Sequence, residues 1–374
     1  MNFLPLTLVL LWPLLAAPVP SPSLDADGMI RIDGRRTFLI GLYNPPKLDN
    51  ALGAVKAAGF NYVRVNPAPA AVRAATSAGL YSWTTTGAAE AKIRELVPLL
   101  KNEPGLIAWE IEDEPTFVWK EPLKLRTPPE KIIAARKLIR TLDPSRLAYL
   151  NHSPTNLVST LRRYNEGTDI IATDVYPVIP RGLRPQFALW PDGQQGDLND
   201  ESISQVGRYA DKMRQVAGPA RPVFLVLQGF AWETLQKQPD PPMILYPTKE
   251  QTRFMALQAI AHGVNGIVFW GLHMGPPGNP AWQAVKAAVE ELQPLQPALA
   301  LPARPQTGLE IEYFDTGHSL DKGLEYIVKG EVVILVNADK NPLDVRLGKL
   351  PGSCGPARRE HFAPFEARIL RCGK

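Results

Sequence analysis

The stretch LIAWEIEDEP, Leu106–Pro115, begins as an apolar strand, turns acidic at its far end and stops on a proline. A short apolar run with no alternation suits a strand covered on both faces, as in a parallel sheet. Seven further runs have the same character: Phe38–Asn44, Phe60–Pro67, Leu80–Thr86, Leu147–Pro154, Asp169–Pro177, Pro222–Phe230 and Gly266–Met274. Helical patterns separate many of them, at Asp49–Ala58, Ala89–Lys101, Glu130–Leu142, Ser202–Ala217, Lys249–His262 and Ala281–Leu292. Pro129 stands where a first helical residue needs no free N–H, and Thr248 with Gln251 has the spacing of a capping box. Eight βα units in roughly 260 residues predict a closed (β/α)8 TIM barrel. An open doubly wound sheet would show a Gly-rich phosphate loop after an early strand, and none is present.

The flanks read differently. Residues 1–20 hold an apolar run, Leu4–Ala17, too short to span a bilayer comfortably and interrupted by Pro13. An export signal is expected there, and with it a secreted or periplasmic protein with no membrane attachment once the signal is removed. The barrel is expected over residues 24–301. From Pro302 to Lys374 apolar and polar residues alternate between Gly and Asn turns, which predicts a small antiparallel, sandwich-like β-domain packed on the barrel. The two cysteines, Cys354 and Cys372, both fall in it and would pair in an oxidising compartment.

Composition narrows the partners. The 374 residues carry a net charge of only +4, with 45% hydrophobic and 21% charged residues. Those values fit a folded chain and give no reason to expect a nucleic-acid partner. The five histidines show no HxxxH or HExxH spacing, so no metal is expected; no cofactor motif, GxSxG elbow or P-loop occurs. A monomer is expected. The 38 prolines are an excess, and several close strand mouths, at Pro45, Pro67, Pro115, Pro154 and Pro177.

A barrel of this type carries its chemistry at the C-terminal ends of the strands. The groups standing there are Tyr43, Arg64, Asn66, Trp83, Asp113, Glu114, Asn151, His152, Asp174, Tyr176, Gln228, Trp270 and His273. Carboxylates, amides and aromatic rings without a phosphate cradle suit a carbohydrate, whose hydroxyls take hydrogen bonds and whose ring faces stack on aromatics. Period-two alternation puts Glu110, Glu112 and Glu114 on one face of their strand. Glu114, nearest the mouth, is the candidate general acid, its pKa raised by Asp113 and Glu112. Glu110 lies deeper and is expected to be a structural carboxylate paired with a cation such as Arg64. Trp190, in the long stretch Val178–Asp200, is a further stacking candidate.

The segment IAWEIEDEP resembles the fourth-strand motif of retaining glycoside hydrolases of the large (β/α)8 clan, β-mannanase- and cellulase-like. FNYVRV on the second strand, DVYP on the sixth and VFW on the eighth add to the likeness. The resemblance implies Glu114 as acid/base, Arg64 and Tyr176 as orienting groups and Trp270 as a sugar platform. The sequence departs from the pattern in two places. Asp113 replaces the residue that is Asn in that motif, and Gln228 stands where the seventh strand should end in a nucleophilic Glu. An amide cannot serve as that nucleophile. Four accounts stand open: Glu233 reaching back from a loop; Asp174 as nucleophile or inverting base; an acetamido group on the substrate, oriented by Asp113 as in hexosaminidase-like barrels; or a sugar-binding barrel without catalysis.

Overall fold

The computed structural model describes residues 21–118, 121, 123–180, 202–304, 309–314, 323–348 and 354–372. Residues 1–20 and Trp190 lie outside that set. Three short antiparallel strands come first: β1 (Pro22–Leu24), β2 (Ile30–Ile32) and β3 (Arg35–Thr37). Eight parallel strands then follow as β4 (Leu39–Leu42), β5 (Tyr62–Arg64), β6 (Tyr81–Thr85), β7 (Leu106–Asp113), β8 (Leu147–His152), β9 (Ile170–Val175), β10 (Val223–Gln228) and β11 (Gly266–Trp270). They pair in sequence order, and β11 returns to β4 with Ile267 opposite Ile40, closing the barrel.

Each strand splits its side chains between two apolar layers. Leu225 and Leu227 of β10 face the surrounding helices, while Phe224 and Val226 fill the barrel. The barrel core is unusually aromatic, with Tyr62, Trp83, Tyr149 and Phe224 all fully buried. Ile30 and Ile32 of β2 join that core and cap the barrel's floor. The sequence pattern did not foreshadow this hairpin, because its strands have only three residues each.

The helices are α1 (Ala51–Ala57), α2 (Pro69–Ser77), α3 (Glu90–Leu100), α4 (Pro129–Leu142), α5 (Val158–Arg162), α6 (Gln205–Ala217), α7 (Lys249–Ala261), α8 (Pro280–Leu292) and α9 (Gln296–Leu299). Pro129 is the first residue of α4, and the Thr248–Gln251 capping box opens α7 with both reciprocal bonds formed, at 2.9 and 3.1 Å.

The remaining strands are β12 (Ile311–Tyr313), β13 (Leu324–Lys329), β14 (Val332–Asn337), β15 (Leu343–Leu347), β16 (Arg358–Phe362) and β17 (Ala367–Arg371). They form two antiparallel sheets, β12-β15-β16 and β13-β14-β17, which share a core containing Val333, Leu335, Val345 and Phe362. Cys354 and Cys372 are joined by a disulfide in this domain. Every residue of β14 is buried, because its second face, through Ile334 and Val336, packs into the barrel's outer core beside α7. Held between barrel and sheet, α7 buries eight of its thirteen residues and lacks a polar face.

One local irregularity decides what reaches the site. In β7 the register shifts between Glu110, opposite Tyr149, and Glu112, opposite Leu150. This β-bulge inserts one residue and reverses the alternation beyond it. Glu110, Glu112 and Glu114 therefore do not share a face. Glu112 shares the outward side with its partner Leu150 and accepts a hydrogen bond from Thr127 Oγ1 at 3.3 Å, whereas Asp113, opposite Asn151, turns toward the mouth.

Candidate active site

At the C-terminal mouth lies a cavity of about 270 Å³, lined by residues that include Tyr43, Asp113, Glu114, Asn151, Asp174, Tyr176 and Trp270. Three strands, β7, β8 and β9, bring three carboxyl groups and one amide together there. Asp113 ends β7, Glu114 follows it, Asn151 is near the end of β8, and Asp174 is near the end of β9. The Asn151 Nδ2 group donates to Asp113 Oδ1 at 2.9 Å and to Asp174 Oδ1 at 3.0 Å, so one amide holds two acids. Glu114 adopts φ = 47°, the left-handed region that a side chain rarely enters. Its N–H donates to Asn151 O at 2.9 Å, which fixes this turn at the strand's exit. Strain of this kind persists only where the surroundings over-determine it.

Glu114 and Tyr176 both lie close enough to the Asp174 carboxyl to act on it. The Asp174 carboxyl is pushed well above the usual carboxylate range, first by burial and then by the negative charges of Glu114 and Asp113, with the Asn151 bond opposing. Asp113 and Glu114 thus put like-charge pressure on Asp174. Neighbouring carboxyls whose charges repel titrate as a pair, one holding a proton while the other is ionised, so the pair holds an acid and a base at once.

An aromatic wall faces these acids. Tyr176 stacks on Trp270 with centroids 5.6 Å apart, and Phe230 meets both edge-on at 5.0 and 4.9 Å. Trp232 Nε1 donates to Tyr176 O at 3.2 Å and adds a fourth ring. Gly271 permits this packing: its φ is 98°, and a Cβ there would lie 2.6 Å from the Phe230 side chain.

Below the cavity, Glu110 is buried and bound on three sides. Tyr43 Oη donates to it at 2.9 Å, Thr85 Oγ1 at 2.6 Å and Arg64 Nε at 3.3 Å. Burial, and secondarily the charge of Asp113, push its pKa up to about 7 against the pull of Arg64. This is the structural pairing with Arg64 expected from the sequence.

Several candidates lie elsewhere. Gln228 is fully buried, and its amide is consumed by backbone: Oε1 accepts from Val178 N at 2.8 Å, while Nε2 donates to Val178 O at 2.9 Å and Phe230 O at 3.0 Å. It braces the end of β10 against the chain leaving β9, and it does not line the cavity. Glu233 is likewise buried and outside the lining, with Oε1 accepting from Asp240 N at 2.7 Å. Trp83 is a core residue stacked on Tyr62 at 4.3 Å. His152 follows Asn151 and so points outward from the barrel, edge-on to Tyr164, where burial lowers its pKa to about 3. Asn66 is exposed beyond the end of β5, and His273 and Arg64 stand at the rim. Sequence reasoning missed Phe117, Ser153, Pro154, Phe230, Trp232 and Leu235 as lining residues. The signal for Phe230 was its parity with Gln228, two residues on along the inward face.

No family model and no curated sequence matches the chain. Solved structures do. A glycoside hydrolase aligns over 95% of this chain and 95% of its own at a TM-score of 0.61 and 14% identity. A glycoside hydrolase family 5 protein from Bacteroides vulgatus aligns over 94% of this chain and 90% of its own, at 0.60 and 14%. A family 5 mannosidase from Rhizomucor miehei aligns over 75% of this chain and 99% of its own, at 0.52 and 11%. Likeness at these identities establishes the shared fold: a closed (β/α)8 barrel with, in the first two cases, nearly the whole chain superimposed.

Proposed function

We propose that this chain is a glycoside hydrolase that acts outside the cytoplasm on an oligo- or polysaccharide, with Glu114 as general acid. The observation that carries the reading is the junction of Asp113, Glu114 and Asp174 with an aromatic wall in one small cavity. The fold shared with named glycoside hydrolases agrees with it. Among the described residues no helix is long and apolar enough to cross a membrane.

The chemistry follows from the proton shared by Glu114 and Asp174. When the proton passes from Asp174 to Glu114, that carboxyl delivers it to the leaving glycosidic oxygen, and the ionised Asp174 left behind stabilises the positive charge growing at the anomeric carbon. Burial strengthens that field, and Asn151 fixes its source. Tyr176 and Trp270 would stack on the sugar face.

The crowding of Asp174 by the charges of Glu114 and Asp113 also favours one finer reading. A hydrolase with its own nucleophile or base needs a second carboxylate free to act across the glycosidic bond from the acid, and Asp174 is partly buried and bound by Asn151 at 3.0 Å. Gln228 and Glu233 are engaged with backbone outside the cavity lining. The acetamido oxygen of the substrate would then attack the anomeric carbon as the glycosidic bond breaks and Glu114 protonates the leaving oxygen, with Asp113 receiving the acetamido N–H. Water would open the cyclic intermediate with Glu114 as base. The test is turnover of 4-nitrophenyl glycosides with and without a 2-acetamido group, by wild type and Glu114→Gln. The variant should lose about 10²–10⁴-fold in kcat while still binding sugar. Equal activity of the two proteins, or none in wild type on any glycan, would sink the hydrolase reading.

A further inference from the structure

The cleft is electrically lopsided. Its β7–β9 side carries three carboxyls, and its opposite rim carries cations. Arg64 ends β5 with its guanidinium 6.0 Å from the Tyr43 ring, and Tyr43 lines the cavity. Among the described residues only Nε of that guanidinium is engaged, with Thr85 at 3.1 Å and Glu110 at 3.3 Å, and the side chain is 28% exposed. Lys47, just past β4, reaches across to Gly275 O at 3.3 Å and forms no ion pair among the described residues. His273, two residues before Gly275, packs edge-on to Trp270 at 6.0 Å, with a buried Nδ1 that has no hydrogen-bond partner among the described residues.

The His273 pKa is lowered first by burial and then by the charges of Lys47 and Arg64, so both cations stand near enough to act on this ring. Glu110 is the one carboxylate paired with Arg64 among the described residues, and it sits a layer below the rim. Cations flanking an aromatic platform are at odds with a neutral ligand, and an anion relieves them. An arginine with free terminal nitrogens presents the planar fork that fits a carboxylate or sulfate.

We infer that the rim of Arg64, Lys47 and His273 is a subsite for an anionic substituent on the sugar bound against Trp270, either the carboxylate of a uronosyl residue or a sulfate ester. The inference rests on reading the cleft as a sugar site. It names the substrate class as acidic glycans.

The test uses the full chain with three sets of 4-nitrophenyl glycosides: neutral hexosides, the matching uronosides, and matching 6-O-sulfated hexosides. One acidic set should exceed its neutral counterpart by about tenfold or more in kcat/KM. That ratio should shrink as salt is raised. It should also fall in Lys47→Ala, an exposed position that leaves the barrel core untouched, and in His273→Ala. Neutral glycosides turned over as well as or better than both acidic sets would overturn the inference and leave the hydrolase reading standing. Should no glycoside be cleaved, calorimetry with glucuronate and galacturonate against glucose and galactose decides. Preferential, salt-sensitive binding of the acids, weakened by Lys47→Ala, upholds the subsite without the hydrolase. Absence of such preference overturns it.

Discussion

At the scale of single residues, Glu110 makes the sharpest quantitative statement. It has a fully buried carboxyl with a pKa of about 7, against 4.5 for an ordinary glutamate. A folded-state pKa above the unfolded one means that the folded protein holds this proton more tightly. The fold is therefore favoured below pH 4.5, and that advantage is lost as pH rises toward 7. The full loss is about 3 kcal/mol, at roughly 1.4 kcal/mol for each tenfold difference in proton affinity between the folded and unfolded chain. In Glu110→Gln this pH-dependent component disappears. Urea unfolding at pH 4.5, 6 and 8 should show wild type losing stability relative to the variant across that window, and parallel pH profiles would refute the assignment. The Arg64 partnership was legible in the sequence because a buried carboxylate must have a counter-charge, and the second strand supplied one nearby. The bulge beyond Glu110 was not, because nothing in EIEDE distinguishes regular alternation from an inserted residue. That single residue moved Asp113, rather than Glu112, to the site.

At the scale of elements, apolar runs located the barrel strands well, since strands buried on both faces leave a continuous signature. They were less informative about which strand-end residues face the cleft. A position at a strand mouth has three destinations: the cavity, the outer layer and the backbone of the neighbouring loop. His152 took the second, and Gln228 the third. The β10 end therefore behaves as a structural joint. Its amide complements one N–H and two carbonyls, so Gln228→Glu would set a carboxylate oxygen against the Val178 and Phe230 carbonyls. The expected cost is about 2–4 kcal/mol of stability, from two lost bonds and a buried charge facing acceptors. No gain of activity should accompany it, although the substitution restores the residue type of the resembled motif. A stable Gln228→Glu protein with raised kcat would show that the joint yields and that the nucleophile position is intact.

At the scale of the whole molecule, the C-terminal sheets are fastened to the barrel by a charged contact as well as by the apolar seam along α7. His262, at the end of α7, reaches Asp211 of α6 through Nδ1 at 2.9 Å and Glu325 of β13 through Nε2 at 3.0 Å. Gln258 Nε2 also donates to Glu325, at 2.9 Å. The alternating pattern after Pro302 made the β-domain legible as a domain, but no local pattern ties a histidine to acids 51 residues before it and 63 residues after it in the chain. Burial lowers the His262 pKa, yet the two carboxylates outweigh it and raise it to about 9, from 6.5. A histidine whose pKa rises on folding contributes stability that is fully present below pH 6.5 and is lost as pH climbs through 9. His262→Ala should therefore cost roughly 2 kcal/mol at pH 6, and the difference from wild type should narrow steadily above pH 7. Hydrogen exchange locates the effect. If the clamp holds the β-domain to the barrel, amides of β13 and β14 lose protection in the variant at pH 6 while those of β5–β9 do not. A uniform loss across both sets would mean that His262 supports the fold as a whole, and that the sheets and barrel unfold as one cooperative unit.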